Sequence, residues 1–82
     1  MINFSNSKGQ TIARIDRVAQ VVYSIMTKID LIREATQAYN HGTASARYSA
    51  CNVLESIRLG HYVVREVESL PEDKLPSECH IG

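Results

Sequence analysis

One stripe dominates the reading of this chain: Ile15, Val18, Val22, Ile25, Ile29 and Ile32 recur at gaps of three, four, three, four and three. That is the a/d spacing by which one helix winds against another. Upstream, Ser7 and Gln10 match a capping box, with Gly9 inside its first turn. No proline or further glycine interrupts the chain before Tyr39, so the stripe predicts a helix over about residues 8–39, after an extended lead-in at 1–6. Asn40-His41-Gly42-Thr43 is the break. Gly42 there is suited to a left-handed helix end, and Thr43 or Ser45 to the next cap. A second helix is expected over about 44–69, stopping before Pro71. Its seam is Ala46, Ala50, Val53, Ile57, Gly60, Val64 and Val67, with small residues that admit close approach. So short a connection makes the two helices antiparallel neighbours.

The expected fold is therefore all-α, a two-helix hairpin over 7–71 followed by an acidic tail at 72–82. Further apolar residues flank both seams, among them Ile12, Val21, Leu31, Leu54 and Leu59. A lone hairpin has one facing surface, and the remainder would form a patch larger than monomers tolerate. Eighty-two residues also bury too little surface to be comfortable alone. A homo-oligomeric helical bundle, a four-helix bundle or larger ring, answers both problems. Cys51 and Cys79, the only cysteines, fall in different settings, and two reduced thiols outweigh a disulfide. No stretch is long and apolar enough to span a bilayer and the start lacks a secretory pattern, so a cytoplasmic protein is expected, with no membrane partner.

The formal charge of zero hides an asymmetry. Residues 1–65 carry eight Lys/Arg against four acids, hence +4, and residues 66–82 carry one lysine against five acids, hence −4. That suits an anionic ligand but falls short of the balance expected for nucleic-acid binding. Catalytic signatures are missing: no G-x-S-x-G, P-loop, G-x-G-x-x-G or H-E-x-x-H. His41, His61 and His80 are scattered, with only Cys79-His80 adjacent, so neither a metal nor a cofactor is expected, and the protein is read as no enzyme.

What remains is arginine interleaved with tyrosine. Arg14, Arg17, Lys28, Tyr48, Arg58, Tyr62 and Arg65 are the candidate ligand-binding residues, since guanidinium groups hold phosphate and aromatic rings stack on bases. The plainer reading pairs the arginines with Asp16, Asp30, Glu34, Glu55 and Glu66 on a solvated face. For any one residue that plainer reading is preferred.

Across 45–71, Arg47-Tyr48, Gly60 and Arg65-Glu66-Val67 resemble small helical-hairpin phage proteins that sequester cyclic-nucleotide immune signals. In those an aromatic opens the second long helix, a glycine interrupts it and an arginine follows. Here the glycine spacing differs by one residue, and residues 1–14 hold no counterpart of that family's N-terminal ligand motif. The resemblance implies a homo-oligomer that holds a cyclic nucleotide between protomers without hydrolysing it. Independently, a rigid amphipathic hairpin suits a protein partner. The expected function is accordingly sequestration of a protein or of a small nucleotide-type ligand. The alternative is a small DNA-binding regulator, although Arg14 and Arg17 are too sparse for a basic-zipper.

Overall fold

The computed structural model describes residues 1–72. Three strands come first: β1 (Ile2–Ser5), β2 (Thr11–Asp16) and β3 (Val21–Ser24). Helices α1 (Lys28–His41) and α2 (Ala44–Arg58) follow, and β4 (Val63–Glu66) closes the order. The strands form one sheet in the order β1-β2-β3-β4, antiparallel except for the parallel β3–β4 pair. The fold is α+β, which overturns the all-α hairpin and, with it, the helical-bundle route to an oligomer.

The supposed first helix is mostly β2, β3 and the turns beside them. Ser7 and Gln10 cap nothing helical. The Asn6 amide donates to the Gln10 carbonyl at 2.8 Å, and Asn6 Oδ1 accepts from the amides of Lys8 (2.9 Å) and Gln10 (3.0 Å). Gly9, at φ +84, supplies the left-handed step that turns β1 into β2. Between β2 and β3, Asp16 Oδ1 accepts from the amides of Val18 and Ala19, both at 3.0 Å, and Gln20 takes φ +58. Asp16 thus replaces a turn of helix with an Asx-type turn.

The stripe is dispersed accordingly. Ile15 (1% exposed) and Val22 are buried in the sheet, while Val18 stands 97% exposed at the β2–β3 turn. Ile25 and Ile29 are exposed and Ile32 is half-buried. On α2, Ala50, Val53 and Ile57 are buried, at the i, i+3, i+7 spacing of a core-facing stripe. Gly60, Val64 and Val67 are not helical: Gly60 ends α2, Val64 is half-buried on β4 and Val67 follows that strand.

The core lies between the sheet and the two helices. Register sets Ile2 against Ile15, Ile15 against Val22 and Val22 against Val64, with Phe4–Ala13–Ser24–Glu66 as the adjacent row. Between Phe4 and Ser5 the register shifts by one, leaving Ile12 as an extra residue in β2. This bulge lets consecutive Ile12 and Ala13 both be buried. Leu31 and Ala35 of α1 close the core from above with the α2 stripe. Buried Ser24 is satisfied locally, its Oγ donating to the Met26 carbonyl and accepting from the Met26 amide, both at 2.9 Å.

Helix ends follow from capping. Thr27 and Thr43 Oγ1 accept from the amides of Asp30 and Ala46, each at 3.2 Å. Gly42 is not left-handed; its φ is −84, and glycine is needed because a Cβ would lie 2.5 Å from the Ala38 carbonyl oxygen. Gly60 does take φ +70, with open space around its Cβ position.

Two substitutions separate this sheet from a helical seam. Ile15→Ala should cost about 2–5 kcal/mol in urea unfolding, whereas Val18→Ala, three residues away on the same stripe, should stay within about 0.5 kcal/mol. Gly60→Ala should destabilise by about 1 kcal/mol because the alanine is forced left-handed. In a helix interior the same change would stabilise by a similar amount.

Candidate functional site

Arg14 and Arg65 are distant in sequence, and strand register brings them together. Arg14 pairs with Asn3 on one side and Tyr23 on the other, and Tyr23 pairs with Arg65. Their neighbours along each strand (Phe4, Ala13, Ile15, Val22, Val64) face the helices. Because side chains alternate, the row Asn3–Arg14–Tyr23–Arg65 lies on the opposite, helix-free face. At about 4.8 Å between strands, Tyr23 has a guanidinium-bearing residue on each side, and the two arginine Cα atoms stand roughly 10 Å apart.

Arg14 is already oriented. Its Nε donates to Asn3 Oδ1 at 3.0 Å, and Nη1 donates to the Pro71 carbonyl. The chain after β4 therefore returns over this face as far as Pro71. Arg65 is exposed and makes no ion pair among the described residues. Flanking the row are Asp16, Val21 and Val63 on one side. One carboxylate oxygen of Asp16 is occupied by its turn. Two forked cations beside a phenol ring can hold an anionic group and stack a planar one.

The other candidates go elsewhere. Arg17 and Tyr62 meet in a cleft of about 270 Å³ between the β2–β3 turn and the end of α2, with Asn52, Glu55 and His61. There Arg17 Nη2 donates to Asn52 Oδ1 at 3.0 Å, and Glu55 opposes an anion. The Tyr62 ring packs against the core. Lys28 opens α1, Tyr48 is exposed on α2, and Arg58 is the last residue of α2, where a cation complements the helix dipole. The seven candidates thus do not form one site. The features behind the phage-protein resemblance separate as well: Tyr48 lies on α2, Gly60 terminates it and Arg65 is on a strand.

Of the plainer pairings, Arg33 lies 3.6 Å from Asp30, and Arg47 instead sits over the Tyr39 ring, 5.7 Å from its centroid. A second cleft of about 380 Å³, lined by Asn6, Ser7, Glu34, Gln37, His41 and Thr43, separates the β1–β2 turn from the helix junction. Sequence reasoning did not single it out, nor did it place Asn3 and Tyr23 in a site. Period-2 alternation over Ala13–Asp16 was the signal that could have marked this stretch as a strand with Arg14 and Asp16 on one face.

Among the described residues, no three His, Cys, Asp or Glu side chains gather in a metal-holding group. Cys51 is half-buried with a free thiol. Cys79, His80 and the acidic tail beyond Glu72 lie outside the described residues. No helix among them is long and apolar enough to cross a membrane. No protein-family model matches the chain, and searches of curated proteins and of solved structures found no similar protein.

Proposed function

We propose that this is a non-catalytic, cytoplasmic binding protein that sequesters a small anionic ligand with a planar ring, of nucleotide type, on the helix-free face of its sheet. The observation that carries this reading is the cross-strand row Arg14–Tyr23–Arg65. It offers recognition groups: two guanidinium forks for phosphate oxygens and one ring for stacking. Asn3 holds Arg14 in place, so part of the ordering cost of binding is met in advance. The Pro71 carbonyl is the group a ligand must displace from Arg14.

The test is calorimetric titration with mononucleotides and cyclic dinucleotides. A true ligand at a hundredfold excess over its Kd should add about 2.7 kcal/mol to stability. Arg14→Ala and Arg65→Ala should each weaken binding roughly ten- to a hundredfold, the worth of a charge-assisted hydrogen bond. Lys28→Ala and Tyr48→Ala, on the helices, should leave affinity unchanged. Silence across the panel would refute the reading, as would binding indifferent to Arg14 and Arg65. Duplex DNA retained at low salt and lost steeply as salt rises would favour the DNA-binding alternative instead.

A further inference from the structure

We propose that residues 67–71 are a strap that closes over the arginine row in the free protein and opens when a ligand takes Arg14. Ligand occupancy and release of the strap are then coupled. The proposal rests on the ligand reading of that row and adds its regulation.

Both ends of the strap are pinned, and to different strands. The Val67 amide donates to the Ser24 carbonyl at 2.7 Å, which holds the first residue after β4 beside the end of β3. The Pro71 carbonyl accepts from Arg14 Nη1, on β2. β2 and β4 stand two strand spacings apart, roughly 10 Å, and four residues of extended chain span at most about 14 Å. With so little slack, the segment crosses β3 on the helix-free face, at its Tyr23–Ser24 end. Among the described residues no helix covers that face, yet Leu70 and Pro71 are half-buried. Leu70 takes no part in the core between sheet and helices, so the open face of the sheet is what it lies against.

The strap has the chemistry of a competitor. A backbone carbonyl offers Arg14 one neutral oxygen, where a phosphate offers the same fork two or more charged ones. Glu68 within the strap and Glu72 just after it are its only charges, both acidic, against a row that holds two guanidinium groups. Closure nonetheless leaves the row half open, since Arg65 stays exposed. An incoming anion finds one cation ready and one held by Pro71. A closed strap lowers the apparent affinity by the fraction of chains that are open. By linkage, the ligand shifts the strap toward the open form by the same factor. A hydrogen bond to a charged group leaves the open form at roughly one part in ten to one in a hundred.

NMR relaxation of the full chain reads the strap directly. In the free protein the amides of Ser69, Leu70 and Glu72 should show order parameters of about 0.8, close to those of a rigid backbone. Arg14→Ala, or saturation with whichever of AMP, GMP, CMP, UMP or a cyclic dinucleotide binds, should drop them below about 0.6. Leu70→Gly combined with Pro71→Gly frees the strap and leaves the row untouched, so it should tighten nucleotide binding about fivefold or more. Strap amides that are mobile in the free wild type, or still ordered in Arg14→Ala or when a nucleotide occupies the row, overturn the proposal. So does a folded glycine variant that binds no tighter than the wild type; should it fail to fold, the wild-type amides decide alone. Absence of binding by wild type and glycine variant alike refutes the ligand reading and the coupling with it. A nucleotide bound under an ordered strap overturns the coupling only.

Discussion

Setting Val21–Ser24 in parallel register with Val63–Glu66 governs the rest of the molecule. Parallel neighbours cannot be joined by a tight turn, because the chain must return to the starting end of the sheet before it can pair again. Everything from Ile25 to Tyr62 is that return, and the two helices, packed on each other, fill it. Both helices lie on one face, so among the described residues the other face is covered only by the segment that Arg14 ties down through Pro71. The helix-free face follows from this pairing, and the row of arginines on it from this pairing together with the β2–β3 register.

The heptad stripe misled because two periodicities coincided. Ile15 and Val22 are seven apart, and both are buried, on adjacent strands that face each other in register. The residues between them, Val18 among them, form a turn with no glycine or proline to announce it. Asp16 makes that turn through its side chain, and Gln20 accepts a left-handed backbone instead. Composition held the counter-signal. The stripe is wholly β-branched, residues that lose rotamer freedom in helices and fit a pleated surface. Gly9 and Gly60, read as helix residues, are positive-φ positions in the turns that follow β1 and α2.

More was legible where the signal is local. Thr43 before an Ala-rich run is a cap whose chemistry needs no tertiary context, and α2 opens there. Ala50, Val53 and Ile57 face the core because helical spacing governs that stretch whatever it packs against. The site was legible only as ingredients. Arg14 and Arg65 stood out as cations, but their neighbourhood exists through strand pairing, and a helical period assigns neighbours three and four residues away. A wrong period therefore scatters a site even when its residues are correctly suspected.

The chain's size sets a further demand on this fold. A domain of this size buries a small share of its surface, and a sheet face without a helix among the described residues lowers that share further. Oligomerisation through a helical bundle was the answer drawn from the wrong period, and the sheet removes that bundle while leaving the shortage of buried surface in place. On the sheet the spare groups are directional. Apolar side chains can be covered by almost any surface, whereas the amides and carbonyls on the outer side of β4 need hydrogen-bonding groups, which water supplies as readily as another strand.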